Sequence, residues 1–415
     1  MEKIYVYADF DFLDERELIG ELSYERVRGN DHFAFEFSRE WLKGHGDIIL
    51  SGDVMNVRGP QHPREGNGVF AFVKDSFPDR WGRLLLNRRE RIAAKEEGRP
   101  VRQLSNLDYL VGIEDLTRMG GIRYSKEENG DFINAEKKYS VPPLESLRAL
   151  CDACLEIETA EERNELPEQR WLDQLVDPGS SLGGARPKAN VVDIYGKLFV
   201  AKFPSKKDLD DTELIEHFAH IMARKAGINV AETRVIPINK NRHLLLSERF
   251  DRTPDGKRRH FASSMSLLGL SDGDGAVTGN GYLNIVDFIL QGCTDVKQNL
   301  RELYRRVAFN VLFGNTDDHF RNHGFILTPK GWTLSPAYDI NPSTQTYQCL
   351  LINENTENSD VNVLQDSCES YMLDSTEASD IIFQVKDTIR DWQRIATENQ
   401  IPLRILQPYA ERWKC

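Results

Sequence analysis

Apolar and polar residues alternate through KIYVYADF and again through GELSYERV, a period of two that predicts β-strands near the start of the chain. In FAFVKDSFPDRWGRLLLNRRERIAAKEEGRP the apolar FAFV predicts another strand. A turn at Pro78 follows it, then a helix of about 15 residues that Gly98 and Pro100 terminate. Pro142 and Pro143 close this first part. From Ser146 to about Glu161 the period lengthens, with Leu147, Leu150, Cys151, Cys154 and Leu155 at helical spacing. PEQRWLDQLVDPGSSLGGARPKANVV moves from helix through a glycine-rich loop into a strand, and KLFVAKF reads as a further short strand. DDTELIEHFAHIMARKAGINV predicts a helix with an acidic first turn, an apolar stripe of Leu214, Phe218, Ile221 and Met222, and Gly227 as its stop. RHLLLSERFDR is a strand leaving into a turn, and from about Ser263 the pattern is mostly helical. Two features interrupt it: the polar run NTDDHFRNHG and a hairpin, HGFIL–TPKG–WTLSPAYD. GLSDGDGAVTGNGY reads as a mobile loop; without Glu at its twelfth position it is not an EF-hand. The expected class is α+β, in three parts: residues 1–140, β-rich; 141–249, strands around the glycine-rich loop; 250–415, helical.

Composition narrows the picture modestly. A chain of 415 residues with 40% hydrophobic and 29% charged residues has a globular profile. MEKIYVYADFDF lacks the pattern of a secretory leader, and no apolar run approaches the roughly 20 residues that span a bilayer, so a cytoplasmic location is expected. A formal charge of −13 argues against non-specific nucleic-acid binding by the whole surface. It leaves room for a local basic patch, and Arg80, Arg83, Arg88, Arg89 and Arg91 form such a stripe on the predicted helix, read first as a solvated face. The pair Cys151–Cys154 has no second Cys or His pair nearby and is read as helix packing.

The chemistry concentrates in NTDDHFRNHG. Asp317 and Asn322 stand five apart, the D-x-x-x-x-N spacing of a phosphoryl-transfer loop. One carboxylate accepts the proton of the attacking hydroxyl, and one neutral amide reaches a magnesium ion bridging the phosphates. The hairpin that follows delivers a second carboxylate, Asp339, as a further metal ligand, although no Phe-Gly follows it. Upstream, Gly183 and Gly184 in GSSLGGARPK allow backbone N–H groups to approach phosphate oxygens. Lys202 shares a strand face with Leu198 and Val200 and needs an anionic partner; phosphates and Glu216, or Glu213, of the next helix would supply one.

Together SSLGGARPKA, VAKFP, LLSERFDR, NTDDHFRNHGF and LSPAYDI resemble the HipA family of bacterial serine/threonine kinases, the toxins of HipBA-type toxin–antitoxin systems. FPDRWGRLLLNRRE and YLVGIEDLTRMGGIRY extend the resemblance toward the N-terminus. It implies a bilobal protein-kinase-like fold: an N-terminal subdomain at 1–140, a small lobe at 141–249 and a large lobe at 250–415. It implies ATP and Mg²⁺, and phosphate transfer to a protein Ser or Thr, with aminoacyl-tRNA synthetases among the family's targets. It also implies autophosphorylation in the glycine-rich loop at Ser181, with Ser180 as a second acceptor, and nucleotide contacts from Lys188 and from Glu248 and Phe250 at the hinge. His319 would orient the catalytic loop. The implied partner is a small HipB-like helix-turn-helix antitoxin, with DNA reached only through it and no membrane involved. Two other readings remain: a small-molecule phosphotransferase, disfavoured because Asn315 and Thr316, not His-Gly, precede Asp317, and an antitoxin- and DNA-associated binding module with little catalysis.

Overall fold

The alternating N-terminal stretches form strands β1 (Glu2–Ala8), β2 (Glu17–Val27) and β3 (Asn30–Phe37), which join β4 (Ile122–Ser125) in an antiparallel sheet of order β3-β2-β1-β4. Ile4, Val6, Leu22 and Phe35 from these strands are fully buried. A bulge between Val6 and Tyr7 breaks the alternation, so Tyr7 and Ala8 are both buried as well. The computed structural model describes residues 1–64, 68–135, 141–175 and 186–414. It divides into two compact units, Met1–Asp208 with Leu246–Ala262, and Leu209–Leu245 with Ser263–Cys415.

In the first unit, FAFV is not a strand. Ala71–Lys74 is a helical turn with Ala71, Phe72 and Val73 buried, and the Asp53 carboxylate accepts the Ala71 N–H at 3.0 Å. A short run that is apolar at every position has no period to distinguish strand from helix, and a carboxylate from 18 residues upstream decides the matter. The predicted helix runs Arg80–Glu96, started by Asp79, whose side chain accepts from Gly82 N at 2.7 Å. Its arginines are not a uniform solvated face. Arg88 is buried and pairs with Glu161, and Arg83 lies 4.7 Å over the Tyr109 ring. Cys151 and Cys154 are buried in the helix Leu147–Glu162, as the helical spacing predicts.

Strands β5 (Lys188–Val192) and β6 (Leu198–Lys202) form an antiparallel hairpin that sets Lys188 directly opposite Lys202. A buried ionic junction ties this hairpin and residues 115–123 to the segment after Glu248. Arg249 donates to both Asp251 oxygens (2.8 and 2.6 Å), to Thr117 O (2.6 Å) and to Asn190 Oδ1 (2.9 Å). Asp251 also accepts from Gly120 N at 2.8 Å and from Arg252 at 2.6 Å. Burial alone would raise the Asp251 pKa, but Arg249 and Arg252 outweigh it and hold the carboxyl well below its ordinary range. Arg258 pairs with Asp115 at 3.0 Å, and His260 stacks on Phe10 with ring centroids 4.8 Å apart.

The second unit contains the helix Thr212–Lys225, β7 (Thr233–Asn239) and the start of β8 (Arg242–Glu248), in which the chain passes back to the first unit. After β9 (Phe261–Ser263) the chain is helical apart from the predicted hairpin, β10 (Gly324–Thr328) and β11 (Gly331–Leu334). The helix Val296–Phe313 is central: Leu300, Leu303, Tyr304, Val307 and Phe309 are fully buried. Trp413 stacks on Phe313 at 4.8 Å and donates its indole N–H to Phe313 O at 2.8 Å. Gly314, at φ +91, stops this helix and releases the chain into the Asn315–His323 loop. Among the described residues no helix is long and apolar enough to cross a membrane.

Candidate active site

The loop between the helix Val296–Phe313 and β10 is held from several sides. Cys349 N donates to Thr316 O (3.0 Å), Ser264 N to His323 O (2.7 Å) and Ser264 Oγ to Phe320 O (2.6 Å). Tyr338 Oη donates to Arg321 O at 2.5 Å. Within the loop, Asn322 N donates to His319 O (2.8 Å), closing the single turn Phe320–Asn322. A polar sequence that reads as a solvated loop is thus largely buried and rigidly bonded.

The two adjacent aspartates point to different environments. Asp317 is exposed. Asp318 is buried and accepts from Tyr282 Oη (2.8 Å), Asn310 Nδ2 (2.6 Å) and His323 Nε2 (2.6 Å). Burial, then the Asp318 charge, pushes the Tyr282 phenol well above its ordinary pKa, which keeps it a hydrogen-bond donor. Asp318 therefore fixes the backbone from which Asp317 projects. Asp317 itself receives a contact from Cys349, whose Sγ lies 3.6 Å from Oδ1. Partial covering of this thiol, reinforced by Asp317, pushes it up to about 11, so at neutral pH it is the protonated, donating form.

Asn322 is buried, and its Nδ2 donates to Asp317 O at 3.1 Å. That bond orients the side chain and leaves the amide oxygen as the atom for a cation. Asp339 stands at φ +57, a left-handed conformation that few residues other than glycine adopt. The preceding residues are anchored through Ala337 N to Asn229 O (2.8 Å) and Ala231 N to Ala337 O (2.9 Å). An amide oxygen plus a carboxylate is a hard-oxygen donor set that fits Mg²⁺ completed by phosphate oxygens and water. Among the described residues there is no cluster of three or more His, Cys, Asp or Glu side chains that would hold a metal unaided.

The other residues expected at the site divide between the units. In the first, Lys188 and Lys202 are cross-strand neighbours; the Lys188 ammonium lies 3.3 Å from Asp79, with both side chains buried, while Lys202 is half-buried. Glu248, half-buried at the end of β8, pairs with Lys197 at 2.7 Å, and the Phe250 ring packs against Phe261. In the second, Glu213 and Glu216 are buried, although the sequence places them opposite the apolar stripe; Glu216 lies 3.9 Å from His220. His319 bonds Asp317 O and Asn322 N through its backbone, and its Nδ1 is buried with no hydrogen-bond partner among the described residues. Ser180, Ser181, Gly183 and Gly184 lie outside the described residues.

Sequence reasoning missed Asp318, Tyr282, Asn310 and His323, which carry the loop. The doublet Asp317–Asp318 was a signal in the sequence, since neighbouring side chains in a loop can face different ways, and here one is exposed and the other buried.

Residues 180–393 match the HipA-like C-terminal domain, and residues 12–108 match the HipA N-terminal domain. The chain belongs to the HipA family. The serine/threonine-protein kinase toxin HipA of Shewanella oneidensis is 24% identical over 358 residues, which cover 78% of this chain and 72% of that protein. Among solved structures, the Shewanella oneidensis MR-1 complex of HipA, HipB and operator DNA contains a chain that superposes with a TM-score of 0.68 at 18% identity, covering 99% of this chain and 95% of that one. The α+β fold is that of HipA, and the family is one of protein kinases.

Proposed function

We propose that this HipA-family chain is a toxin kinase that transfers the γ-phosphate of ATP, with Mg²⁺, to a Ser or Thr of a protein. The observation that carries the reading is the pairing of Asp317 with Asn322: a carboxylate held exposed by a buried scaffold, and an amide whose free oxygen is fixed by a bond to that carboxylate's own backbone. Asp317 accepts the proton of the attacking hydroxyl. Asn322 and Asp339 would hold Mg²⁺, which supplies charge neutralisation on the phosphates. Lys202 and the glycine-rich loop with Gly183 and Gly184 take the phosphates. Glu216 belongs to the ATP-binding set, and the segment of Glu248 and Phe250 takes the adenine. Lys188 belongs to the nucleotide set with Asp79 as its resident partner.

In the same reading Ser181, or Ser180 beside it, is the autophosphorylation site. A phosphate there adds roughly −1.5 to −2 charge to a loop meant for ATP phosphates and weakens nucleotide binding by repulsion. A HipB-like antitoxin is the proposed partner, supported by the complex in which the Shewanella chain is found, with DNA reached through that partner. Aminoacyl-tRNA synthetases are the first candidates as substrates.

The test is incubation of the protein with γ-labelled ATP, Mg²⁺ and a bacterial protein extract, followed by phosphosite mapping. Label in proteins, lost in Asp317→Asn, is the expected result. Label in small alcohols alone would transfer the chain to the small-molecule phosphotransferases. No nucleotide binding by calorimetry would leave only an antitoxin-binding role.

A further inference from the structure

Asp318, the neighbour of Asp317, and Asp339 are joined by a line of three asparagines, in which one link is made by a backbone N–H. Asn310 Nδ2 donates to Asp318 at 2.6 Å, and Asn310 Oδ1 accepts from Asn315 Nδ2 at 3.0 Å. Asn315 Oδ1 accepts from Asn341 N at 3.2 Å, and Asn341 Nδ2 reaches Asp339 Oδ1 at 3.3 Å. The line begins on the residue next to Asp317 and ends on Asp339. It runs from the helix Val296–Phe313 into the loop directly after it and crosses from there to the stretch after β11. Asn310, Asn315 and Asp318 are each 5% exposed or less, so the bonds among these three are made away from water, while Asn341 and Asp339 are half-buried.

Building on the kinase reading above, we propose that Asn310, Asn315 and Asn341 form a positioning relay that sets Asp339 against the Asp317 loop. The residue type follows from the chemistry. Asn310 and Asn315 each donate from one end of the amide and accept at the other, and Asn341 donates both ways, from its backbone N–H and from Nδ2, so each link has a fixed direction. A neutral amide also adds no charge beside carboxylates that must attract a cation and tolerate an anionic nucleotide, where a chain of acids would repel the phosphates and raise its neighbours' proton affinity. At the Asp339 end, Asn341 Oδ1 is buried and has no hydrogen-bond donor among the described residues, so of this amide's two ends only the nitrogen is committed, and it is committed to Asp339. Asn315 is the critical link, because both of its amide atoms are used and its partners lie on different segments.

Asn315→Asp keeps the volume and replaces the donor facing Asn310 Oδ1 with a second acceptor. It is expected to lower kcat about 10- to 100-fold, the usual range for groups that orient a metal ligand. It should raise the half-saturating Mg²⁺ concentration by a similar factor and leave the KM for ATP within about twofold. Asn341→Ala cuts only the side-chain link to Asp339 and keeps the backbone link, so a several-fold weaker Mn²⁺ affinity is expected, measured by calorimetry in the presence of ADP. Circular dichroism and thermal unfolding report the folded fraction of both variants. The relay is overturned if both variants bind Mn²⁺ and turn over like the parent, or if every loss matches a loss of folded protein. Weaker Mn²⁺ binding in folded variants of a parent that transfers no phosphate would sustain the relay while removing the kinase reading, so the two failures are separable.

Discussion

One buried polar cluster in each unit is built by means opposite to the other's. The first unit closes its junction with full charges: Arg249, Arg252 and Arg258 against Asp251 and Asp115, each nearly or wholly inside. The second unit holds the Asn315–His323 loop with neutral amides, a phenol and an imidazole around that loop's buried carboxylate, Asp318. In the junction every carboxylate oxygen is consumed by a guanidinium or a backbone N–H, and no acidic group is left to react. In the loop the bonding is spent on Asp318 so that its neighbour Asp317 stays exposed. The junction's charges are closed on one another, whereas the loop leaves the Asp317 carboxylate exposed on a buried scaffold, as the proposed base requires.

That contrast is sharpest in a pair of substitutions. Asp317→Asn should cost at least about 10²- to 10⁴-fold in phosphate transfer, the range of a positioned general base, while its exposed position keeps the stability change within about 0.5 kcal/mol. Asp251→Ala should do the reverse. Removing the carboxylate leaves Arg249 and Arg252 buried without it, a loss of about 3–5 kcal/mol in unfolding free energy, with activity per folded molecule retained. Equal effects on activity from both variants would erase the distinction.

A smaller effect comes from pH. Burial lowers the His260 pKa from 6.5 to about 3, so between those values the unfolded chain binds a proton that the folded one refuses. The stability tied to neutral His260 is complete above about pH 6.5 and declines as pH falls toward 3, by at most about 1.4 kcal/mol per pH unit. Thermal unfolding across this window should show a shallower slope in His260→Phe, and an unchanged slope would assign the acid sensitivity elsewhere. The smallest effect belongs to Cys349. Replacement by Ser preserves a donor toward Asp317 and should change kcat less than about threefold, whereas Ala removes it and should cost more, within the 0.5–1.5 kcal/mol of one hydrogen bond; equal rates in the two variants would mean the thiol contact is idle.

Much of the fold was legible because its signals are local. Alternation located β1 and β2, the apolar stripe and Gly227 bounded the helix Thr212–Lys225, and the Thr-Pro-Lys-Gly turn marked the β10–β11 hairpin. The spacing of Asp317 and Asn322 likewise brought out the loop itself. What was not legible depends on partners far along the chain. FAFV became helical through Asp53, and the apparent arginine face of Arg80–Glu96 was partly consumed by Glu161, 73 residues past Arg88. Glu213 and Glu216 looked solvated because helical spacing reports which face a side chain occupies but not what covers that face. Asp317 and Asp318 are chemically identical in sequence; only the positions of Tyr282, Asn310 and His323 decide which one turns inward.

The glycine-rich run Gly269 to Tyr282 looks from its composition like a flexible tether, yet it is bonded along the Cys349–Leu351 segment through Ala276 N to Cys349 O (2.8 Å) and Tyr282 N to Leu351 O (3.0 Å). A Cβ at Gly281 would stand 2.3 Å from Leu351 O, and one at Gly275 would stand 2.6 Å from Cys349 O. These glycines work as clearance in a fastening: bare backbone lies flush against bare backbone. The same segment carries Cys349 to Asp317, so widening the seam by one methyl group would draw the thiol away from that carboxylate without changing either residue.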